Sequence, residues 1–455
     1  MDNTLLDLSF IKKSFTPDEA IKSIKDKIDT EFDEMNVGEK ISINSGDHKA
    51  YYLPSIKTAF DFLGIKLDLV SIIEKCEIEG IKPLQISRSS MYDLQGKGVG
   101  KNIYRKYLNW AFDNFTPYFT KSFSDTPSLL HSIDTVPSNA SDWKLFWLGT
   151  TSSIKGVDFA SLMPEFVPLI EFIEYRCDTE LALQQSIRNR DDFDTLKHAD
   201  VAIWWPQFIK PFFDEHTVLT SKELDTVNNV VSGRFTPSEL VETEKHAFYI
   251  DLLRVKYDFI LSAIAHYEVG YVLASCPDDQ QPQTVAPLAC HAIKKYATSN
   301  ESRTCFDWTL QTLKDWWSET KSSISWRDIA SCIPIENTDP TCKSGVTHID
   351  KQYSRLKDWR KGKNLPSNKL LEQFITNIAA SIGAEPECDR LFILCRITIG
   401  LDKALTNLVK EWGKGIGSES QVNAIWKDVL SHYYEDYYLH YLNQHVARKT
   451  QIEKI

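Results

Sequence analysis

The chain has 455 residues, 42% hydrophobic and 25% charged. That balance excludes wholesale disorder, collagen-like repeats and a multi-span membrane protein, and the length allows about two to four domains. The formal charge of −11 is uneven: residues 1–150 carry −3, 151–300 carry −9 and 301–455 carry +1, so an acidic middle adjoins an end where a local basic site can form.

Glycine and proline number 18 each, so breakers are sparse, and sparse breakers favour long helices over a turn-rich sandwich. Taken in chain order, Thr16-Pro17-Asp18-Glu19 reads as a capping box that opens a polar helix over 17–35. A short strand is expected at Glu39–Asn44. Ile56–Lys75 has helical spacing, with Gly64 as a break point, and a further helix is expected over Asn102–Phe115. Residues 124–142, rich in Ser, Thr, Pro and Asp, read as a linker. Helical pattern resumes at about 157–186 and continues through Trp204, Trp205 and Phe208. Thr236-Pro237-Ser238-Glu239 is a second capping box, heading an apolar-periodic run over 237–275. Residues 277–287 read as the second linker, and 288–455 look helical throughout, with Gly413 ending a helix over 401–412.

The expected fold is therefore mainly α: a multi-domain helical protein with little β structure. Its parts are an N-terminal helical domain (1–123), a linker, an acidic helical domain (143–276), a linker and a C-terminal helical domain (288–455). The longest apolar stretch, Phe259–Cys276, is broken by His266 and Glu268, so no membrane association is expected. The nine cysteines form no Cys-x-x-Cys pair. Asp2 and Asp7 stand where a secretory signal would carry positive charge, so reduced thiols in a cytoplasmic protein are expected.

The most informative segment is 324–384. Ser325 caps a short helix at Trp326, a second helix runs from about Thr347 to Lys361, and Ser367 caps a third that ends at Gly383. In the third, Leu370, Leu371, Phe374, Ile375, Ile378, Ala379 and Ile382 form one apolar stripe. Residues 355–371, RLKDWRKGKNLPSNKLL, resemble the second half of a phage-repressor type helix-turn-helix. In that family a recognition helix ends in a basic-Gly turn and Pro-Ser starts the next helix. The family joins its first two motif helices through about three or four residues. Here Ile333–Val346 intervene.

Residues 351–363 hold Lys351, Arg355, Lys357, Arg360, Lys361 and Lys363 against one acid, Asp358. At about 100° per residue, Ile349, Tyr353 and Leu356 face inward with Trp359 at the edge, while Lys351, Ser354, Arg355 and Lys361 face out. Arg360 falls inward and has to reach out from the helix end. Such a face suits a major groove, and an Asp358-bridged solvent face is the alternative. The nucleic-acid candidates here are Lys351, Ser354, Arg355, Arg360, Lys361 and Lys363. Lys97, Lys101 and Arg105 form a second basic stretch, where Gly96, Gly98 and Gly100 precede a helix start that suits a phosphate. The spacing departs from the Walker A pattern, which excludes an ATP site of that type.

Metal and catalytic patterns are weaker. His432, Asp436 and His440 repeat at helical spacing, and Asp192 and Asp194 form a D-x-D pair near His198 and Asp200. Core-edge histidines and an acidic turn are the ordinary readings of both. No local nucleophile, base and orienter assemble, so no catalytic residue, metal or cofactor is assigned. The expectation is a helical binding protein rather than an enzyme. It is DNA-associated through the basic helix at 347–363, as a regulator or as a component of a mobile-element or anti-phage system. The alternative is a scaffold subunit whose acidic middle engages a protein partner, with Trp204, Trp205, Trp316 and Trp317 as anchors. A metal-dependent hydrolase or nuclease ranks third.

Overall fold

The computed structural model describes residues 53–65, 81–95, 97–122, 164–196, 201–234, 239–276, 288–320, 324–335, 347–416 and 418–452, with single positions between them. The described residues are helical with no β-strand, the mainly α fold the sequence predicts. The expected strand at 39–44 and the linker at 277–287 lie outside the described residues, apart from Lys40; of the linker at 124–142, Asn139, Ala140 and Asp142 are described.

Contacts divide the chain into two compact units: Met1–Phe60 with Lys66–Asp200, and Asp61–Ile65 with Val201–Ile455. The first unit holds most of α1 (Ile56–Phe62), then α2 (Arg88–Gln95), α3 (Lys101–Ser122), α4 (Val167–Arg188) and α5 (Phe193–Leu196). Its core includes Leu53, Leu94, Tyr104, Trp110, Phe172 and Cys177. The Leu53-Pro54 backbone is tied into it: the buried Glu180 carboxylate accepts from the Leu53 N–H (2.7 Å), while Asn139 and Trp143 side chains donate to the Leu53 and Pro54 carbonyls. Burying Glu180 is tolerable because that amide and the Gln184 side chain (3.5 Å) both donate to it.

The second unit begins with α6 (Val201–Trp204) and α7 (Lys210–His216), joined by a π-helical turn at Trp205–Ile209, followed by α8 (Ser221–Val231). At its centre is α9 (Glu242–Ser275), whose residues from Asp258 to Val272 are buried on nearly every side, the pattern of a core helix. The sequence predicts this helix from residue 237. The Glu239 carboxylate accepts from the Thr236 N–H (2.7 Å), but α9 starts only at Glu242, where the Glu244 carboxylate accepts from the Val241 N–H (3.1 Å). Then come α10 (Leu288–Thr298), α11 (Cys305–Thr320), α12 (Trp326–Ser331), α13 (His348–Arg360), α14 (Asn368–Ile382), α15 (Cys388–Ile416), α16 (Glu419–Ser431) and α17 (His440–Ile452). A π-helical turn at Tyr433–Leu439 links the last two. The expected stop at Gly413 is overturned, since α15 continues to Ile416. A helical glycine costs about 1 kcal/mol, which a long packed helix absorbs.

Two buried carboxylates organise the second unit. Glu268 of α9 accepts from the Ala289 (2.8 Å) and Cys290 (3.2 Å) N–H groups at the start of α10. Asp402 of α15 accepts from the Cys305 (2.8 Å) and Phe306 (2.9 Å) N–H groups at the start of α11. The first amides of a helix have no partner within it, and an acid from a neighbouring helix supplies one while complementing the helix dipole.

Candidate nucleic-acid interface

Helices α11 to α15 enclose one apolar cluster. Phe306, Leu310 and Leu313 of α11 meet Ile329 of α12, Leu356 and Trp359 of α13, Leu371, Phe374 and Ile378 of α14, and Leu391 and Ile399 of α15. Helices α12 and α14 start on the caps the sequence predicts. The Ser325 hydroxyl accepts from the Asp328 N–H while the Asp328 carboxylate accepts from the Ser325 N–H, and the Ser367 hydroxyl accepts from the Leu370 N–H. Helix α13 ends in a Schellman motif. Gly362 (φ +70°) donates to the Trp359 carbonyl and Lys363 to the Asp358 carbonyl, a turn that needs a residue free to adopt positive φ.

The predicted face of α13 is sorted by its environment. Ser354, Lys361 and Lys363 are exposed; Lys351 and Arg355 are half-buried, and Arg355 donates to the Pro334 carbonyl (3.5 Å). Trp359, expected at the edge, is fully buried with its ring edge-on to Phe374, which swings the helix so that Leu356 and Trp359 lead its core face. Ile349 and Tyr353 are only half-buried. Arg360 does not reach out. Its guanidinium pairs with the buried Asp307 carboxylate of α11 (2.6 Å) and lies 3.7 Å over the Trp326 ring. Asp358 accepts from the Asn364 amide (3.1 Å).

The structure adds residues that the sequence reading left off the interface. Arg327 of α12 is exposed, pairs with Asp350 (3.3 Å) and lies 5.4 Å from the Tyr353 ring. Lys357 is exposed, with its ammonium 4.4 Å from the same ring. The spacing between 327 and 353 hides this convergence; only the packing of α12 on α13 creates it.

Lys97, Lys101 and Arg105 belong to the first unit. Lys97 and Lys101 are exposed at the start of α3 and Arg105 is half-buried, while Gly98 (φ +79°) donates to the Asp93 carbonyl.

The other candidates are engaged within the fold. Asp436 accepts from Arg254 (2.7 Å) and meets the His432 ring (3.0 Å), while Arg254 also pairs with Glu223. These pairings hold Asp436 below the ordinary carboxylate range, with the His432 hydrogen bond the largest cause. The His440 ring meets Gln444 (2.8 Å). Asp192 is paired to Arg190 (2.8 Å). Among the described residues no group of three His, Cys, Asp or Glu side chains is placed to hold a metal. Trp204, Trp205 and Trp317 are buried and Trp316 half-buried, so the paired tryptophans serve the core. No described helix is long and apolar enough to cross a membrane. A small cavity is lined by Glu268, Tyr271, Arg390 and apolar neighbours; there Arg390 stacks on Tyr271 (3.2 Å) and pairs with Glu387 (3.4 Å).

No protein-family model, no curated protein and no solved structure matches the chain.

Proposed function

We propose that the chain binds duplex DNA through α13 and the turn that follows it. The observation that carries this reading is the sorting of side chains around α13. Leu356 and Trp359 are completely buried, while Ser354, Lys357, Lys361 and Lys363 stay exposed, with Arg327 beside them on α12. The lysines and Arg327 would neutralise backbone phosphates and set register. Ser354, together with the half-buried Lys351 and Arg355, is the part of the helix suited to base edges. The overall charge of −11 opposes non-specific attraction to DNA, so binding depends on this local patch. On this reading the protein works in the cytoplasm as a regulator or as a component of a mobile-element or anti-phage system.

Fluorescence anisotropy on a labelled duplex over a salt series tests the reading. The intact protein is expected to bind with a steep dependence on salt. A Lys357→Ala, Lys361→Ala, Lys363→Ala variant should lose at least about tenfold in affinity, with a log–log salt slope shallower by about 2–3. Absence of binding by the intact protein at low salt would overturn it.

A further inference from the structure

The long connection between α12 and α13 raises a physical question. A tight turn fixes the angle between the two helices of a helix-turn-helix, and the chain from Ile333 to Val346 is too long to do so. Helix α12 has only six residues, from Trp326 to Ser331, so its own ladder gives it little rigidity. It also ends without a left-handed cap, since Cys332 has φ −74°.

What holds the end of α12 is a set of side chains from other helices. The Gln352 amide of α13 donates to the Ser331 carbonyl (3.0 Å) and to the Ile333 carbonyl (2.7 Å). The Asn377 amide of α14 donates to the Cys332 carbonyl between them (2.8 Å). Arg355 of α13 donates to the Pro334 carbonyl. Consecutive carbonyls from 331 to 334 are thus each taken by a side chain from α13 or α14. Ser331 and Cys332 carry carbonyls that a helix end leaves without partners, Ile333 and Pro334 belong to the chain just beyond it, and Ile329, Ala330, Cys332 and Ile333 are buried. The Gln352 bond to Ser331 is exposed and the bonds to Cys332 and Ile333 are half-buried, so losing a donor there costs about one net hydrogen bond.

We infer that Gln352 and Asn377 are positioning residues that take over the role of the tight turn. They fix the end of α12 against α13 and α14 and so keep Arg327 and Lys357 on the same Tyr353 ring, facing one stretch of duplex backbone. The inference rests on the nucleic-acid reading of α13. Neither amide is a phosphate contact, because both are directed at the carbonyls of the chain itself.

The test uses the full chain with Gln352→Met and Asn377→Leu, substitutions that keep size and remove the donors. Duplex affinity is measured over a salt series, at a temperature where circular dichroism shows each variant folded. Each variant is expected to bind at least about fivefold more weakly, the equivalent of one net hydrogen bond, with a salt slope shallower by up to about one as Arg327 leaves the backbone. Hydrogen exchange over residues 326–335 should rise in both. An affinity within about twofold of the parent overturns the positioning role; because both amides are uncharged, a slope shallower by about one unit reports the loss of the Arg327 phosphate contact through displacement of α12 and supports the role. Should Gln352→Met fail to fold, Asn377→Leu reports alone, since it frees only the Cys332 carbonyl. If the parent protein binds no DNA, the nucleic-acid reading and the role derived from it both fall. Exchange then tells whether the amides hold α12: unchanged exchange in the variants overturns that as well.

Discussion

Arg360 shows how one side chain changes meaning when its surroundings are known. Among the basic residues of 351–363 it carries the same charge as Lys361, yet its guanidinium is enclosed by Asp307 and the Trp326 ring while Lys361 is exposed. The inward direction of Arg360 is legible from helical periodicity. Its partner is not, because Asp307 lies on another helix and nothing local links the two. A buried carboxylate that loses this close cation keeps only the more distant Arg303, 4.0 Å away, as an ion-pair partner among the described residues. Arg360→Met should therefore destabilise the chain by about 2–4 kcal/mol, and Asp307→Asn in that background should add little. A double-mutant cycle by urea unfolding measures this. Independent, additive losses would show that the pair is not coupled.

At the scale of elements, helix starts were legible because a cap is a local event. Thr16, Ser325 and Ser367 each accept the amide their spacing predicts, and Thr347, read only as a helix start, accepts from the Asp350 N–H. Helix ends and breaks depend more on what arrives from elsewhere. Gly64 was recognisable as a break in the 56–75 pattern, and α1 does stop at Phe62. What the pattern could not show is why glycine is required. Gly64 sits at φ +68° and a Cβ there would fall 1.5 Å from the Arg396 guanidinium, which donates to the Leu63 carbonyl while Asn368 donates to that of Gly64 (3.0 Å). Gly64→Ala should thus cost about 2 kcal/mol or more, since strain in the left-handed region adds to displacement of Arg396. Thermal melts of Gly64→Ala beside Gly233→Ala separate the terms, because Gly233 shares the positive φ and has open space around it. Equal losses would assign the whole effect to backbone strain.

Across the whole molecule, the carboxylates that join the long helices to their neighbours should control the response to pH. Burial pushes Glu268 and Asp402 up to about 7 against the lowering effect of the amides they accept from. In the unfolded chain such acids release their protons near pH 4 to 4.5. Between those values the folded state binds more protons than the unfolded one, so stability falls as pH rises from about 4.5 to 7. The shifts correspond to roughly 3–4 kcal/mol each across that window. Below about pH 4 the opposite applies, because Asp436 and Asp328, held low by hydrogen bonds to His432 and Ser325, lose their contribution on protonation. Melting temperature should accordingly be highest near about pH 5 and decline toward pH 8. Glu268→Gln and Asp402→Asn should each flatten that decline, and a parent whose stability rises between pH 5 and 8 would contradict the argument.

The helical class, the caps of the short helices and the basic run at 351–363 followed from the sequence alone. Periodicity, capping and local charge act over a few residues, and that information lies within a single turn. The tertiary structure decided the rest. It withdrew Arg360 from the exposed face, added Arg327 and Lys357 to it, and placed Gln352 and Asn377 at the end of α12. It also turned Glu268 and Asp402 into caps for neighbouring helices. Each of those facts is a meeting of side chains from different helices, and the energy of such a meeting depends on distance and burial in space, which residue order does not encode locally.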